Sequence, residues 1–157
     1  MKEDKPFKEE VNPEELAQQL RERALQSANE EELRISFVEI FNPIFRKWEI
    51  NISYERGAPK FIASGIRKDA LYGSVIIEFK APGKLKNKRE FEKAKEQVKK
   101  YIMSEASDPS NYGKYFGVVL DGINIAFIRF RRGQWDEDKE PLEVNAQTIL
   151  KLLEVIR

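Results

Sequence analysis

The sequence predicts an α/β (α+β) fold, in which helices flank a mixed central sheet, and two kinds of periodicity support this prediction. Apolar residues recur every three or four positions near the start, the middle and the end of the chain, which is the spacing of a buried helix face. Between these segments lie short β-branched runs bounded by glycine and proline, which is typical of strands. The predicted order is ααβββαββα, in one domain over residues 1–157.

The first two helices have clear start signals. Asn12 precedes Pro13 and two glutamates, so Asn12 is the expected cap of a helix over 13–27. A second start at Ser27 or Asn29 leads into an apolar face that includes Phe37 and Phe41. We expect residues 1–28 to form a helical extension and residues 29–157 to form the core.

The middle and the end of the chain alternate between strand and helix patterns. Strands are expected over 50–54, 74–80, 115–120 and 123–131, with a further one near 60–72, and helices over 88–104 and 146–156. The last two strands are joined by Asp121-Gly122, a dipeptide typical of hairpins in which both turn residues have positive φ.

Composition limits the chemistry. The chain has no cysteine and no histidine, which excludes disulfides, thiolate metal sites and histidine bases. Reactions must therefore use carboxylates, lysines, hydroxyls or a hard cation bound by oxygen atoms.

The net charge of the chain is close to zero. With 28 basic and 27 acidic residues, net charge neither demands nor excludes nucleic acid. Without an apolar membrane span or a signal peptide, a cytoplasmic protein is expected.

The strand over 74–80 contains the first candidate site. Glu78 and Lys80 are two residues apart and therefore project from the same face. A tight hairpin around Tyr72-Gly73 would bring the carboxylate of Asp69 beside Glu78, where a divalent cation such as Mg²⁺ would relieve their repulsion. Lys80 would then orient or deprotonate water. The competing interpretation is a solvent-exposed Glu–Lys ion pair.

Two further polar positions fall on apolar helix faces. Gln97 and Tyr101 are four residues apart in the predicted helix over 88–104, so they share a face that is expected to approach the sheet. Glu30 lies about two turns before Phe37 and is a candidate metal carboxylate. The alternatives are a Gln at the margin of the core, a core tyrosine and a glutamate that interacts favourably with a helix N-terminus.

A basic stretch follows the candidate site directly. Residues 84–100 contain eight lysines and arginines against three glutamates. Such a surface suits phosphate contacts, although a solvated helix face is the common explanation. The expected nucleic-acid contacts are Lys84, Lys86, Lys88 and Arg89, and the arginines at 129, 131 and 132 are candidates to extend the surface.

Six residues carry a resemblance to a known family, in this order along the chain: Asp69, Glu78, Phe79, Lys80, Gln97 and Tyr101. The set resembles the PD-(D/E)xK nuclease superfamily, of the RecB-like type. The stretch 65–83 is similar to the N-terminal nuclease module of type I restriction subunits and of fused type II restriction-modification enzymes, and the resemblance extends from about Glu30 to Arg131. It departs from the family's motif at Lys68, where the motif's name has proline.

The resemblance implies a restriction-endonuclease-like core and a Mg²⁺- or Mn²⁺-dependent deoxyribonuclease. Asp69, Glu78 and the Phe79 carbonyl would bind the metal, with Glu30 joining through water. Lys80 would position or deprotonate the attacking water. Gln97 would orient water, phosphate or Lys80, and Tyr101 would support it. Such relatives usually work with helicase or methyltransferase domains or subunits, which are the partners expected besides DNA.

Two other functions stay open at the level of sequence. One is a non-catalytic nucleic-acid-binding or assembly domain that retains the nuclease fold and predicts no specific metal binding at Asp69 and Glu78. The other is an RNA-processing nuclease, which would share the metal site. It is disfavoured because the sequence lacks an evident alternation of aromatic and basic residues.

Overall fold

The computed structural model describes residues 11–54, 60–64 and 74–156. Four α-helices lie in these ranges: α1 (Pro13–Gln26), α2 (Glu30–Lys47), α3 (Lys88–Ala106) and α4 (Ala146–Ile156). The strands are β1 (Asn51–Tyr54), β2 (Lys60–Ser64), β3 (Ser74–Phe79), β4 (Tyr115–Leu120), β5 (Asn124–Arg131), β6 (Gln134–Glu137) and β7 (Leu142–Glu143). Short 3₁₀ helices at Lys84–Lys86 and Pro109–Lys114 flank α3.

The strands form one mixed sheet, as the sequence predicts. Its order is β1-β2-β3-β4-β5-β6, and β7 pairs with the start of β5. The β3–β4 pair is parallel and the other pairs are antiparallel. A parallel pair needs a crossover connection, and α3 provides it. The ends of β3 and β4 therefore lie side by side at one edge of the sheet.

The two faces of the sheet bury different cores. Successive residues of β3 point to opposite faces of the sheet. Val75, Ile77 and Phe79 join the core beneath α1, α2 and α4, and Ile76 joins the core beneath α3. On the first face, Phe37 stacks on Phe41 and contacts Phe79 edge to face. Glu78, two residues after Ile76, is thus directed to the α3 face.

Asparagine caps confirm the predicted helix starts. The side chains of Asn12 and Asn29 accept hydrogen bonds from the backbone amides three residues ahead, and Asn145 does the same at α4. The second helix therefore starts after Asn29 and not after Ser27. In the part of the chain that the structure describes, no helix is long and apolar enough to cross a membrane.

The turn prediction at Asp121-Gly122 is partly wrong. Gly122 has φ +86°, but Asp121 does not have positive φ, and it caps the turn instead by accepting hydrogen bonds from the amides of Ile123 and Asn124. A two-residue turn with positive φ at both positions occurs one loop later, at Arg132-Gly133, between β5 and β6. The sequence patterns missed β6, whose residues alternate between exposed and half-buried.

The register of β2 and β3 is defined over their described residues. Ser64 pairs with Ser74 and Lys60 pairs with Glu78, and the hairpin predicted around Tyr72-Gly73 lies outside the described residues. Position 60 lies opposite Glu78 in this register. Asp69 itself lies outside the described residues.

Candidate active site

The Glu78–Lys80 pair lies at the carboxyl end of β3. Lys80 Nζ is 3.5 Å from Glu78 Oε2, and the two side chains are only 13% and 5% exposed. The backbone amide of Lys80 donates to the carbonyl of Leu120 at the end of β4, which fixes the position of Lys80 beside the sheet edge. The interpretation as a solvent-exposed ion pair is therefore wrong, because both groups are largely removed from water.

A buried aspartate holds the segment that follows Lys80. Asp121 is fully buried, and its Oδ2 accepts a hydrogen bond of 2.9 Å from the amide of Leu85. Its other oxygen accepts from the amides of Ile123 and Asn124. One carboxylate thus ties the connection between β3 and α3 to the end of β4, and the sequence patterns indicated only its role in a turn.

Ion pairs with β6 fix the rotation of α3 about its axis. Lys95 and Lys99 lie 3.0 and 2.6 Å from the carboxylate oxygens of Glu137. Gln97 projects about 160° around the helix from Lys99, because an α-helix has 3.6 residues per turn. Since β6 and β3 lie on opposite sides of β4 and β5, the flank of α3 that carries Gln97 and Tyr101 is the one nearer β3.

Gln97 and Tyr101 have the partly buried positions that the sequence predicts for them. Tyr101 packs against the core beneath α3. Gln97 Oε1 is buried and receives no hydrogen bond from any of the described residues. A buried carbonyl oxygen of this kind needs a donor, so Gln97 is suited to receive one from a ligand or a water molecule.

The predicted nucleic-acid contacts form an exposed basic segment beside the site. Lys84, Lys86, Lys88 and Arg89 are all exposed, on the 3₁₀ helix and the first turn of α3 that follow Lys80. Asp121 and the buried Leu85 anchor this segment. Four cations therefore lie next to the Glu78–Lys80 pair in sequence and along the same sheet edge.

Two lysines of the basic stretch serve a different purpose. Lys95 is 2% exposed and contacts Glu92, Glu137 and the carbonyl of Asp138, while Lys99 pairs with Glu96 and Glu137. These lysines bind α3 to β6 and are not available for phosphate.

The same network shifts two pKa values. Burial alone would lower the pKa of Lys99, but hydrogen bonds with Glu137 and Glu96 outweigh it and raise that pKa above its ordinary value. Burial would raise the pKa of Glu137, yet its ion pairs with Lys99 and Lys95 lower it. Both shifts favour the charged forms, as in a structural ion-pair network.

The predicted extension of the basic surface to the last hairpin is wrong for Arg129 and Arg131. Arg129 lies over the ring of Phe116, which belongs to the core on the opposite face from α3. Arg131 follows on the same face and pairs with Asp136. The register places Arg129 opposite Phe116, toward the start of β4, whereas Lys80 lies at its end.

The metal-binding candidate Glu30 lies away from Glu78. Glu30 is half-buried at the first turn of α2, a helix that covers the face opposite α3. Within 11–54, 60–64 and 74–156, no three acidic side chains form a group that could hold a metal. The described residues thus bring Lys80, Gln97 and Tyr101 to the same side of the sheet as Glu78, and they do not bring Glu30 into an acidic cluster there.

Comparison with protein-family models, with curated proteins and with solved structures gives no match to this chain.

Proposed function

We propose that the chain is a Mg²⁺- or Mn²⁺-dependent deoxyribonuclease domain that hydrolyses DNA phosphodiester bonds, as part of a cytoplasmic restriction-modification system. The proposal combines the resemblance to the PD-(D/E)xK superfamily with the position of four of its motif residues. Helicase or methyltransferase subunits are the proposed partners of such a domain.

The observation that carries the proposal is the burial of Glu78 and Lys80 at a sheet edge that continues into an exposed basic segment. Removing a carboxylate and an ammonium from water costs several kcal/mol for each ion. An ion pair recovers this cost only when its geometry is excellent, and Lys80 Nζ lies 3.5 Å from Glu78 Oε2, so burial of the pair is weak evidence for a purely stabilising role. Buried ionisable groups beside an exposed basic surface are common in active sites.

The donor atoms at this edge have the chemistry that a hard cation requires. The Glu78 carboxylate and the Phe79 carbonyl supply oxygen, which Mg²⁺ and Mn²⁺ prefer, and Asp69 is the proposed second carboxylate. A bound metal would activate water and neutralise charge on the phosphate. The ammonium of Lys80 would hold the attacking water or the phosphate oxygen, and Gln97 would accept a hydrogen bond from that water.

The experiment that tests the proposal is cleavage of supercoiled plasmid and of single-stranded DNA with Mg²⁺ or Mn²⁺, by the parent and by Asp69→Asn. We expect metal-dependent cutting by the parent and its loss in the variant. A matched control is Asp136→Asn, an exposed aspartate on β6. Cutting that survives in Asp69→Asn, or that needs no metal, would contradict the assignment.

One observation favours the second candidate, a non-catalytic nucleic-acid-binding or assembly domain. In the described register, the strand position opposite Glu78 holds the basic residue Lys60 and not a second acid. This candidate predicts DNA binding through the basic segment with no dependence on divalent metal. DNA binding that is equal in EDTA and in Mg²⁺, without any cutting, would support it over the nuclease.

A further inference from the structure

A cavity of about 360 Å³ lies on the face and end of the sheet away from Glu78 and Lys80. Phe116 and Phe127 contact each other edge to face at its base, and residues of α4 form one side. The volume falls in the range of small-molecule sites, which is roughly 300–1,000 Å³. Its position excludes a direct role in chemistry at the end of β3.

Two cations of the cavity have no acidic partner among the described residues. The guanidinium of Arg129 lies 5.6 Å from the centre of the Phe116 ring, and Lys151 Nζ lies 4.4 Å from the centre of the Phe127 ring. Both side chains are exposed at their ends and neither makes an ion pair within the described ranges. Aromatic contacts hold these two charges beside the same cavity.

Most of the acids around the cavity are already occupied. Glu137 is bound by two lysines of α3, Asp136 pairs with Arg131, and Asp138 accepts a hydrogen bond from the amide of Phe127. Glu154 makes no ion pair in the described part of the chain and lines the same wall as Lys151. The available groups are therefore two cations, one carboxylate and a half-buried aromatic ring.

We infer that this cavity binds a nucleoside monophosphate group. The guanidinium of Arg129 would move from the Phe116 ring to the phosphate, and a planar base would take its place on that ring. Lys151 would donate to the same phosphate, and Glu154 would accept from a ribose hydroxyl or an exocyclic amine. The group is present both in a free nucleotide and at the 5′-phosphorylated end of a nucleic-acid strand. The inference is independent of the proposed nuclease activity, since it uses none of the residues at the Glu78 edge.

The test is a calorimetric titration of the full chain with AMP, with adenosine, with inorganic phosphate and with a short 5′-phosphorylated oligonucleotide. We expect AMP to bind more tightly than adenosine or phosphate alone. The double substitution of Arg129→Ala with Lys151→Ala should weaken AMP binding at least about tenfold, since it removes both charged donors to the phosphate. Arg46→Ala and Lys139→Ala, at exposed positions elsewhere, should leave it unchanged.

Two further measurements distinguish a free nucleotide from the end of a nucleic-acid strand and test the contact with Phe116. Competition of the phosphorylated oligonucleotide with AMP would assign the site to a strand end, and binding of AMP alone would assign it to a free nucleotide. Phe116→Leu should weaken AMP more than phosphate. The inference is overturned if AMP does not bind, if adenosine binds as tightly, or if the double variant, folded by circular dichroism, binds AMP like the parent.

Discussion

The α3 face of the sheet contains two buried acid–lysine sites that differ in how completely they are compensated. At β6, Lys95 has two carboxylates and a carbonyl within 3.4 Å, and Glu137 is shared with Lys99. At the end of β3, Lys80 Nζ has one ion pair in the described ranges, at 3.5 Å from Glu78. A saturated network stabilises a fold, whereas a lysine with one distant partner has donors available for a ligand.

The largest expected effect is the loss of DNA cleavage when Lys80 is substituted. Lys80→Ala should reduce metal-dependent plasmid cleavage at least about a hundredfold, the usual contribution of a positioned acid–base group. The melting midpoint should fall as well, because the buried Glu78 carboxylate loses one partner, so cleavage is compared at a temperature at which both proteins are folded. Lys139→Ala is the control. Parent-like cleavage by Lys80→Ala would remove this residue from the site.

Substitutions in the Lys95–Lys99–Glu137 network at β6 should change stability and not cleavage. Lys95→Ala leaves the half-buried Glu137 with one lysine and the carbonyl of Asp138 without its donor, so we expect the free energy of unfolding in urea to fall by about 3 kcal/mol. Lys93→Ala, an exposed lysine two residues earlier on α3, should change it by less than about 0.5 kcal/mol. Equal stability of the two variants would show that the network is not structural.

Substitution of Asp121, which ties the basic segment to the end of β4, has a smaller expected effect on the free energy of unfolding. Asp121→Ala removes the acceptor of three backbone amides and should lower the free energy of unfolding by about 2 kcal/mol. Asp121→Asn retains one oxygen and should lose less. Urea denaturation of both variants measures the difference. If Asp121→Ala were as stable as the parent, the hydrogen bond from Leu85 would not hold the basic segment in place.

The smallest expected effect is the pH dependence of the β6 network. Because the pKa of folded Glu137 lies below its ordinary value of 4.5, its stabilisation is present above about pH 4.5 and is lost as the pH falls through the lower folded value. Glu137→Gln should therefore flatten the acid limb of stability measured from pH 7 to pH 3. A variant whose acid limb is as steep as the parent's would contradict this role.

Local patterns predicted most of the secondary structure, because the signals lie within a few residues of one another. Asn12, Asn29 and Asn145 cap the helices that follow them, and the helix predicted over 88–104 is observed as Lys88–Ala106. The alternation of β3 predicted correctly that Glu78 and Lys80 share a side.

Long-range contacts explain what the sequence could not provide. Lys95 and Lys99 resemble the other lysines of the stretch until β6, about 40 positions later, places Glu137 against them. In β6, exposed and half-buried residues alternate over only four positions, which is too short and too polar a segment to indicate a strand. Asp121 has the appearance of a turn residue because its bond to Leu85 spans 36 positions.

The most direct test of the central claim compares one carboxylate from each site in the same assay. Glu78→Gln and Glu137→Gln are assayed for nicking of supercoiled plasmid with Mg²⁺, at a temperature below both melting midpoints. We predict that Glu78→Gln stays folded and does not cut, and that Glu137→Gln is less stable but cuts at the rate of the parent. Parent-like nicking by Glu78→Gln would contradict the account.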